Sequence, residues 1–333
     1  MEFKWTIGID VSKKTFDVAY AANAVNAKQA HAVFANDLKG FKAFARWLKD
    51  QGVTLISSLI CLENTGIYHR PLVAYLLAQK AFVWVETPVQ IKWSMGIQRG
   101  KSDSVDAVRI STYAFRNQDK AVAYSPKDES IQQMADLMGL RTRLMTCIGS
   151  LKVPIQELKS MGLNNTAKLM AEASKKSISA LEKEIKAVEQ QLQVLIDGDE
   201  KLSTTFKYAT SVRSIGFVAA LQLLVYTHGF TRFENAKQLA SFCGIAPFEY
   251  SSGTSVRGKT KVHPMANKQL KSTLHMCAVS AIRNSPEMKV YYERKVAEGK
   301  NKMLVINAIR NKLVQRVFAC VRDKKEYVYE IAA

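Results

Sequence analysis

No Cys-x-x-Cys pair occurs in the 333 residues, and five scattered cysteines (Cys61, Cys147, Cys243, Cys277, Cys320) are an odd set that argues against a closed disulfide framework. The five histidines lack HExxH or Cys/His spacing, so no zinc site is expected. No uninterrupted apolar run approaches the ~20 residues of a spanning helix. The start, MEFKWTIGID, carries no signal-peptide pattern. The expectation is a cytoplasmic protein with no membrane partner. Acids are also in short supply: 29 Asp plus Glu stand against 48 Lys plus Arg, a formal charge of +19. That balance favours a polyanionic partner, nucleic acid first.

What is present suffices for two or three folded domains, since 47% of the residues are hydrophobic. WTIGID, TFDVAYA and AHAVFA read as three successive strands, the first two joined by the polar turn VSKK. Leu38, Phe41, Phe44, Trp47 and Leu48 recur at helical spacing. A strand at LISSLICLE, a helix around RPLVAYLLAQ and a strand at AFVWVE follow. Antiparallel strands first and βαβ alternation after them suit a mixed sheet flanked by helices, over residues 1–125. A helical region over 126–200 should be broken or bent near Pro154. Within it Ile178, Leu181, Ile185, Val188, Leu192 and Leu195 step in an a/d heptad pattern, which fits either a bundle helix or a coiled coil between protomers. The last domain, 201–333, reads mainly α-helical. From Ser251 onward it holds +11 of the chain's +19, and VRGKTKVHPMANKQLK carries five cations and no acid. Arg257, Lys259, Lys261, Lys268 and Lys271 are therefore the expected phosphate-backbone contacts.

The acids pose a sharper question. Asp10 closes the apolar strand WTIGID and Glu63 closes LISSLICL, so each carboxylate should emerge at a strand end. Asp103 and Asp106, in KSDSVDAV, lie three residues apart on one helix face. On their own they read first as a helix start, with Ser102 or Asp103 as N-cap, and the same i, i+3 placement also suits half of a metal site. Were all four to converge, their mutual repulsion would call for divalent cations, Mg²⁺ or Mn²⁺. Paired oxygen-ligated ions suit phosphodiester chemistry.

These segments together resemble the DEDD insertion-sequence transposases, the bridge-RNA-guided recombinases, whose relatives include the pilin-gene DNA invertases. GIDVSKKTFDVA carries the family's first Asp at Asp10. CLENTGIYHRPL is similar to its E-x-TG-x-Y segment, with Glu63, Thr65, Gly66 and Tyr68, and KSDSVDA matches its K-T/S-D-x-x-D-A at Asp103 and Asp106. The resemblance spans nearly the whole chain. It implies an α/β RNase H-like, Holliday-junction-resolvase-like N-terminal domain with Mg²⁺ on the four acids. LASFCGIAPFEYSSGTSVRGK resembles the family's G-[LI]-x-P…SG…G motif, which implies Ser252 as nucleophile in a C-terminal transposase domain. Without that resemblance SSG is an ordinary loop, and Ser251 and Ser255 are its neighbours. Two departures stand out. RSIGF keeps Gly216 without the usual preceding proline, and Pro264 to Ala266 and Lys271 replace a Lys-x-Gly and an Arg.

The reading implied is an RNA-guided DNA recombinase working through a phosphoserine. Its expected partners are donor and target DNA, a structured guide RNA and further copies of itself, as a dimer or tetramer with shared sites, acting at the bacterial nucleoid. The alternatives are a site-specific invertase with the same residues, a junction-resolving nuclease that uses water, and a non-catalytic nucleic-acid-binding scaffold.

Overall fold

The computed structural model describes residues 2–25, 27–64, 66–96, 102–126, 128–252, 256–262 and 265–329, with side chains except at 249–252, 256–257 and 259–261. The chain divides into two compact units, Met1–Pro126 and Lys127–Ala333.

In the first unit β1 (Trp5–Val11), β2 (Thr15–Ala22) and β3 (Ala30–Ala35) form an antiparallel meander. Helix α1 (Leu38–Asp50) follows, its first turn capped by the Asp37 carboxylate, which accepts from Gly40 N at 2.8 Å. Then come β4 (Ser58–Glu63), α2 (Arg70–Ala78) and β5 (Phe82–Glu86). Both later strands run parallel to β1, giving the order β3-β2-β1-β4-β5. Three antiparallel strands continued by two parallel ones make this an RNase H-like sheet. The strand expected over LISSLICLE is shorter, because Leu55–Ser57 winds into a 3-10 turn. A short helix, α3 (Pro88–Ser94), was not anticipated.

Side-chain alternation divides the sheet's two faces. Ile7, Ile9, Ile60, Leu62 and Val83 pack with Phe41, Phe44 and Leu48 of α1 and Leu72 and Leu76 of α2. The opposite face presents Gly8, Cys61 and Trp84 in one register row, and α4 (Asp103–Arg116) covers it. The approach is close. A Cβ on Gly8 would lie 2.1 Å from Ser111 N and 2.3 Å from Ala107 O, so no side chain fits between strand and helix. Ser111 Oγ in turn donates to Thr6 O at 3.2 Å.

The second unit opens with α5 (Glu129–Ser160) and α6 (Asn164–Asp197), an antiparallel hairpin laced by Arg141–Glu189 and Lys152–Glu182, both at 2.7 Å. Helix α5 is one continuous helix through Pro154, so of the break or bend expected there the break does not occur. A proline removes one ladder hydrogen bond, and the burial of Ile148 and Ile155 on either side of it offsets that loss. Val188, Leu192 and Ile196 of α6 share a core with Ile131, Met134 and Met138 of α5. Leu202 of α7 (Glu200–Thr210) and Leu221 and Leu224 of α8 (Phe217–Thr227) complete that core. The heptad seam thus finds partners within its own chain over these positions.

Helix α9 (Ala236–Phe242) leads into a feature the sequence reading missed. Ser251 and Ser252 lie in a strand: β6 (Pro247–Ser252) and β7 (Val256–Val262) pair as an antiparallel ribbon. Helices α10 (Lys268–Asn284), α11 (Pro286–Ala297) and α12 (Lys302–Asp323) complete the unit. Their core joins Leu239, Leu270, Leu274, Ile309 and Leu313. Among the described residues no helix is long and apolar enough to cross a membrane.

Gly8→Ala tests the contact that seats α4. Forcing a methyl between two backbones should lower stability by roughly 3 kcal/mol, the upper part of the usual overpacking range. An unchanged melting temperature would mean that α4 is not seated on β1.

Candidate functional site

The strand register brings carboxylates into one row. Asp10 faces Asp17 across β1 and β2. Ile9 pairs with Leu62, so the next position sets Asp10 beside Glu63, and Glu63 pairs with Glu86 of β5. Residues in register share a face, and this is the face of Gly8, under α4. Four acids therefore line one end of the sheet, on four adjacent strands.

Helix α4 adds two more. Ser102 caps it, its Oγ accepting from Val105 N at 3.4 Å, so Asp103 and Asp106 both fall in the first turn. The helix-start reading of KSDSVDAV is accordingly correct, and it does not exclude the other reading. Asp103 is exposed; Asp106 is partly buried and accepts from Arg109 Nη1 at 2.9 Å.

The electrostatics of Asp10 show which of these acids are near one another. Its pKa is pushed up to about 6, first by burial and then by the charges of Glu63, Asp103, Asp106 and Asp17. Charge–charge energy falls with distance, so each of these carboxylates stands within effective reach of Asp10. The donors are all carboxylate oxygen, which is the chemistry a hard divalent cation takes. Among the described residues, however, no three His, Cys, Asp or Glu side chains are already arranged to hold an ion. Asp106 is turned to Arg109. The residues fit a divalent cation by donor type and by the crowding of negative charge around Asp10, and they would close on it rather than present a finished cage.

Two acids in the row escaped the sequence reading. Asp17 is 8% exposed and its Oδ1 lies 2.9 Å from His31 Nε2. Glu86 accepts from Thr87 N (2.6 Å), Thr87 Oγ1 (3.2 Å) and Tyr113 Oη (3.2 Å). Burial and the Glu86 charge raise the Tyr113 pKa, which keeps the phenol a donor. Tyr113 lies two turns after Asp106 on α4, and its ring packs on Trp84 at 5.0 Å. The bond to Glu86 thus fixes how far along the sheet α4 sits. A signal existed: LICLE and FVWVE both end a buried strand on Glu.

In the second unit Ser252 is the last residue of β6, in register with Val256. Arg257, Lys259 and Lys261 lie on β7. The side chains of these four residues are outside the described part, as are residues Thr65, Gly253 and Ser255. Lys268 and Lys271 open α10, which Asn267 caps by accepting from Leu270 N at 2.9 Å. A concavity of about 590 Å³, bordered by Glu200, Tyr208, Phe230, Phe318 and Arg322, contains none of the site residues expected from the sequence.

Comparison with known proteins adds the following. A family model described as Transposase, for the DEDD proteins of the IS110 type, matches residues 7–159. A second, described as Transposase IS116/IS110/IS902 family, matches residues 207–293. The pilin gene-inverting protein of Moraxella bovis is 25% identical over 97% of this chain and 98% of its own length. An uncharacterized 43.6 kDa protein of insertion element IS110 from Streptomyces coelicolor is 31% identical over 45% of this chain and 36% of its own. Among solved structures, Thermus thermophilus RuvC in complex with a Holliday junction substrate aligns at 12% identity and a TM-score of 0.29, covering 36% of this chain and 99% of that one. The fold assignment rests on strand order and direction instead.

Asp10 yields a stability prediction. The folded protein keeps its proton up to about pH 6, whereas an unperturbed aspartate releases it near 3.8. Stability contributed by that proton is complete below pH 4 and lost as the pH rises through 6. In chelating buffer Asp10→Asn should therefore melt higher than wild type at pH 8, by about 1 kcal/mol after allowance for solvent screening. The gain should vanish at pH 4. A lower melting point for the variant at pH 8 would contradict the crowding of charge around Asp10.

Proposed function

Because the chain belongs to the IS110-type transposase family, we propose that it is a metal-assisted DNA recombinase that cuts and rejoins strands during transposition, guided by a structured RNA. The observation that carries this reading is the convergence of charge on Asp10 from Glu63, Asp103 and Asp106. An acidic end on one unit and a basic ribbon on the other is the polarity that phosphodiester chemistry needs. The three-part division of labour, with an acid domain, a helical segment and a serine-bearing domain, is part of the same proposal. So is action at the nucleoid by a dimer or tetramer of shared sites.

Asp10, Glu63, Asp103 and Asp106 would hold Mg²⁺ or Mn²⁺. When bound, such an ion polarises a phosphate oxygen and offsets charge building up on the leaving oxygen. Ser252 Oγ attacks phosphorus, forming the Oγ–P bond as the bond from phosphorus to the leaving sugar oxygen breaks. The serine proton is given up, and the leaving oxygen takes a proton. Attack by another strand's hydroxyl on the phosphoserine then reforms a phosphodiester and frees the serine, so the bond energy is kept and no hydrolysis is needed. Arg257, Lys259, Lys261, Lys268 and Lys271 carry the backbone of donor and target DNA.

The full-length similarity to pilin gene-inverting proteins supports a second reading, an invertase with the same residues acting on fixed inverted sites. A structured RNA encoded beside the gene separates the two.

Replacing any one of the four acids by Ala should abolish strand cleavage while circular dichroism and RNA binding stay near wild type. Full cleavage by Asp106→Ala would remove that residue from the site. For the serine, a suicide DNA substrate should leave a covalent adduct that peptide mass spectrometry locates on Ser252. Adducts on Ser251 or Ser255, or efficient cleavage with no adduct, would favour another serine or water.

A further inference from the structure

Arg310 is a buried cation without an anion. Its residue is 6% exposed, its Nε has no hydrogen-bond partner, and among the described residues no carboxylate pairs with it. Its guanidinium bonds through Nη2 to Nδ1 of His275 on α10, at 2.5 Å. Burial and the neighbouring guanidinium lower the His275 pKa, so the imidazole accepts the bond as a neutral group and offers no counter-charge. A guanidinium stays protonated throughout the usable pH range. Desolvating one beside a neutral partner alone works against folding.

The surroundings are cationic and lie at the foot of the ribbon that carries Ser252. One turn before His275 on α10 is Lys271, whose Nζ lies 3.7 Å from the point where a Cβ on Gly244 would stand. One turn before Arg310 on α12 is Asn307, whose Nδ2 donates to Ile245 O at 2.8 Å. Two helices thus meet the Gly244–Ile245 backbone just before β6 begins at Pro247, and each brings a cation. Gly244 has φ +64°, and a side chain there would also strike the Ala266 Cβ at 2.4 Å, so the backbone is held bare at this point.

We propose that Arg310 and Lys271, with His275 holding the guanidinium in place, form a cradle for one phosphodiester oxyanion of the nucleic-acid strand that runs along the β6–β7 ribbon. The oxyanion supplies the missing counter-charge, through a charge-assisted hydrogen bond in a partly dehydrated setting. The cradle fixes where the strand lies relative to Ser252. This inference rests on the reading of the chain as a DNA-acting enzyme, and it adds to the exposed basic stretch a contact built into the domain core.

The test measures binding and stability together in the full chain carrying Asp10→Ala, so that the outcome does not depend on cleavage. The probes are a duplex DNA and a single-stranded RNA of the same sequence. Arg310→Met should leave the melting temperature of the free protein unchanged or raised, while affinity falls roughly tenfold and the salt slope becomes shallower by about 0.9. Lys271→Gln should weaken binding without affecting melting, and the double variant should lose less than the two separate losses combined, because both cations serve one phosphate. Loss with both probes, or with only one, supports the cradle and tells which strand it holds. A lower melting temperature with unchanged affinity would make Arg310 a strut between α10 and α12 and overturn the proposal. Fully additive losses from the two substitutions would also overturn it. Should Arg310→Met fail to fold, Lys271→Gln and His275→Gln decide: unchanged affinity in both rejects the cradle.

Discussion

The closeness of α4 to β1 is the constraint on which the first unit depends. Strand and helix pack backbone to backbone at Gly8, Ala107 and Ser111, with no room for a side chain. That contact, the Ser111–Thr6 hydrogen bond and the Tyr113–Glu86 hydrogen bond leave α4 little freedom to slide or roll. Asp103 and Asp106 are consequently held over the end of the sheet where Asp10 and Glu63 emerge. The seating adds to the raised pKa of Asp10: burial and the charge of Glu63 come first, and the charges of Asp103 and Asp106 act in the same direction.

Much of this was legible in the sequence because its cues are local. Period-two alternation marked the strands, helical spacing marked α1, and polar residues closing apolar runs marked Asp10 and Glu63. The Asp103/Asp106 pair followed from the helical repeat. What was missed depended on register or on tertiary support. Glu86 and Asp17 join the row only because β5 and β2 pair in one particular register, which no single strand encodes. A break or bend was expected near Pro154, yet α5 continues through it with Ile148 and Ile155 buried on either side. The ribbon around Ser252 was hidden in a segment rich in Ser and Gly, where turn chemistry masks strand character.

The two units carry opposite charge where their candidate chemistry lies. Lys and Arg outnumber acids strongly from Ser251 onward, while the end of the N-terminal sheet gathers carboxylates.

The most direct measurement is anomalous diffraction from crystals grown with Mn²⁺. A peak within ligating distance of Asp10 and Glu63, with Asp106 released from Arg109 to join them, is the result the account predicts. A saturating Mn²⁺ concentration that gives no peak at the end of the sheet, with Asp106 still on Arg109, would contradict it.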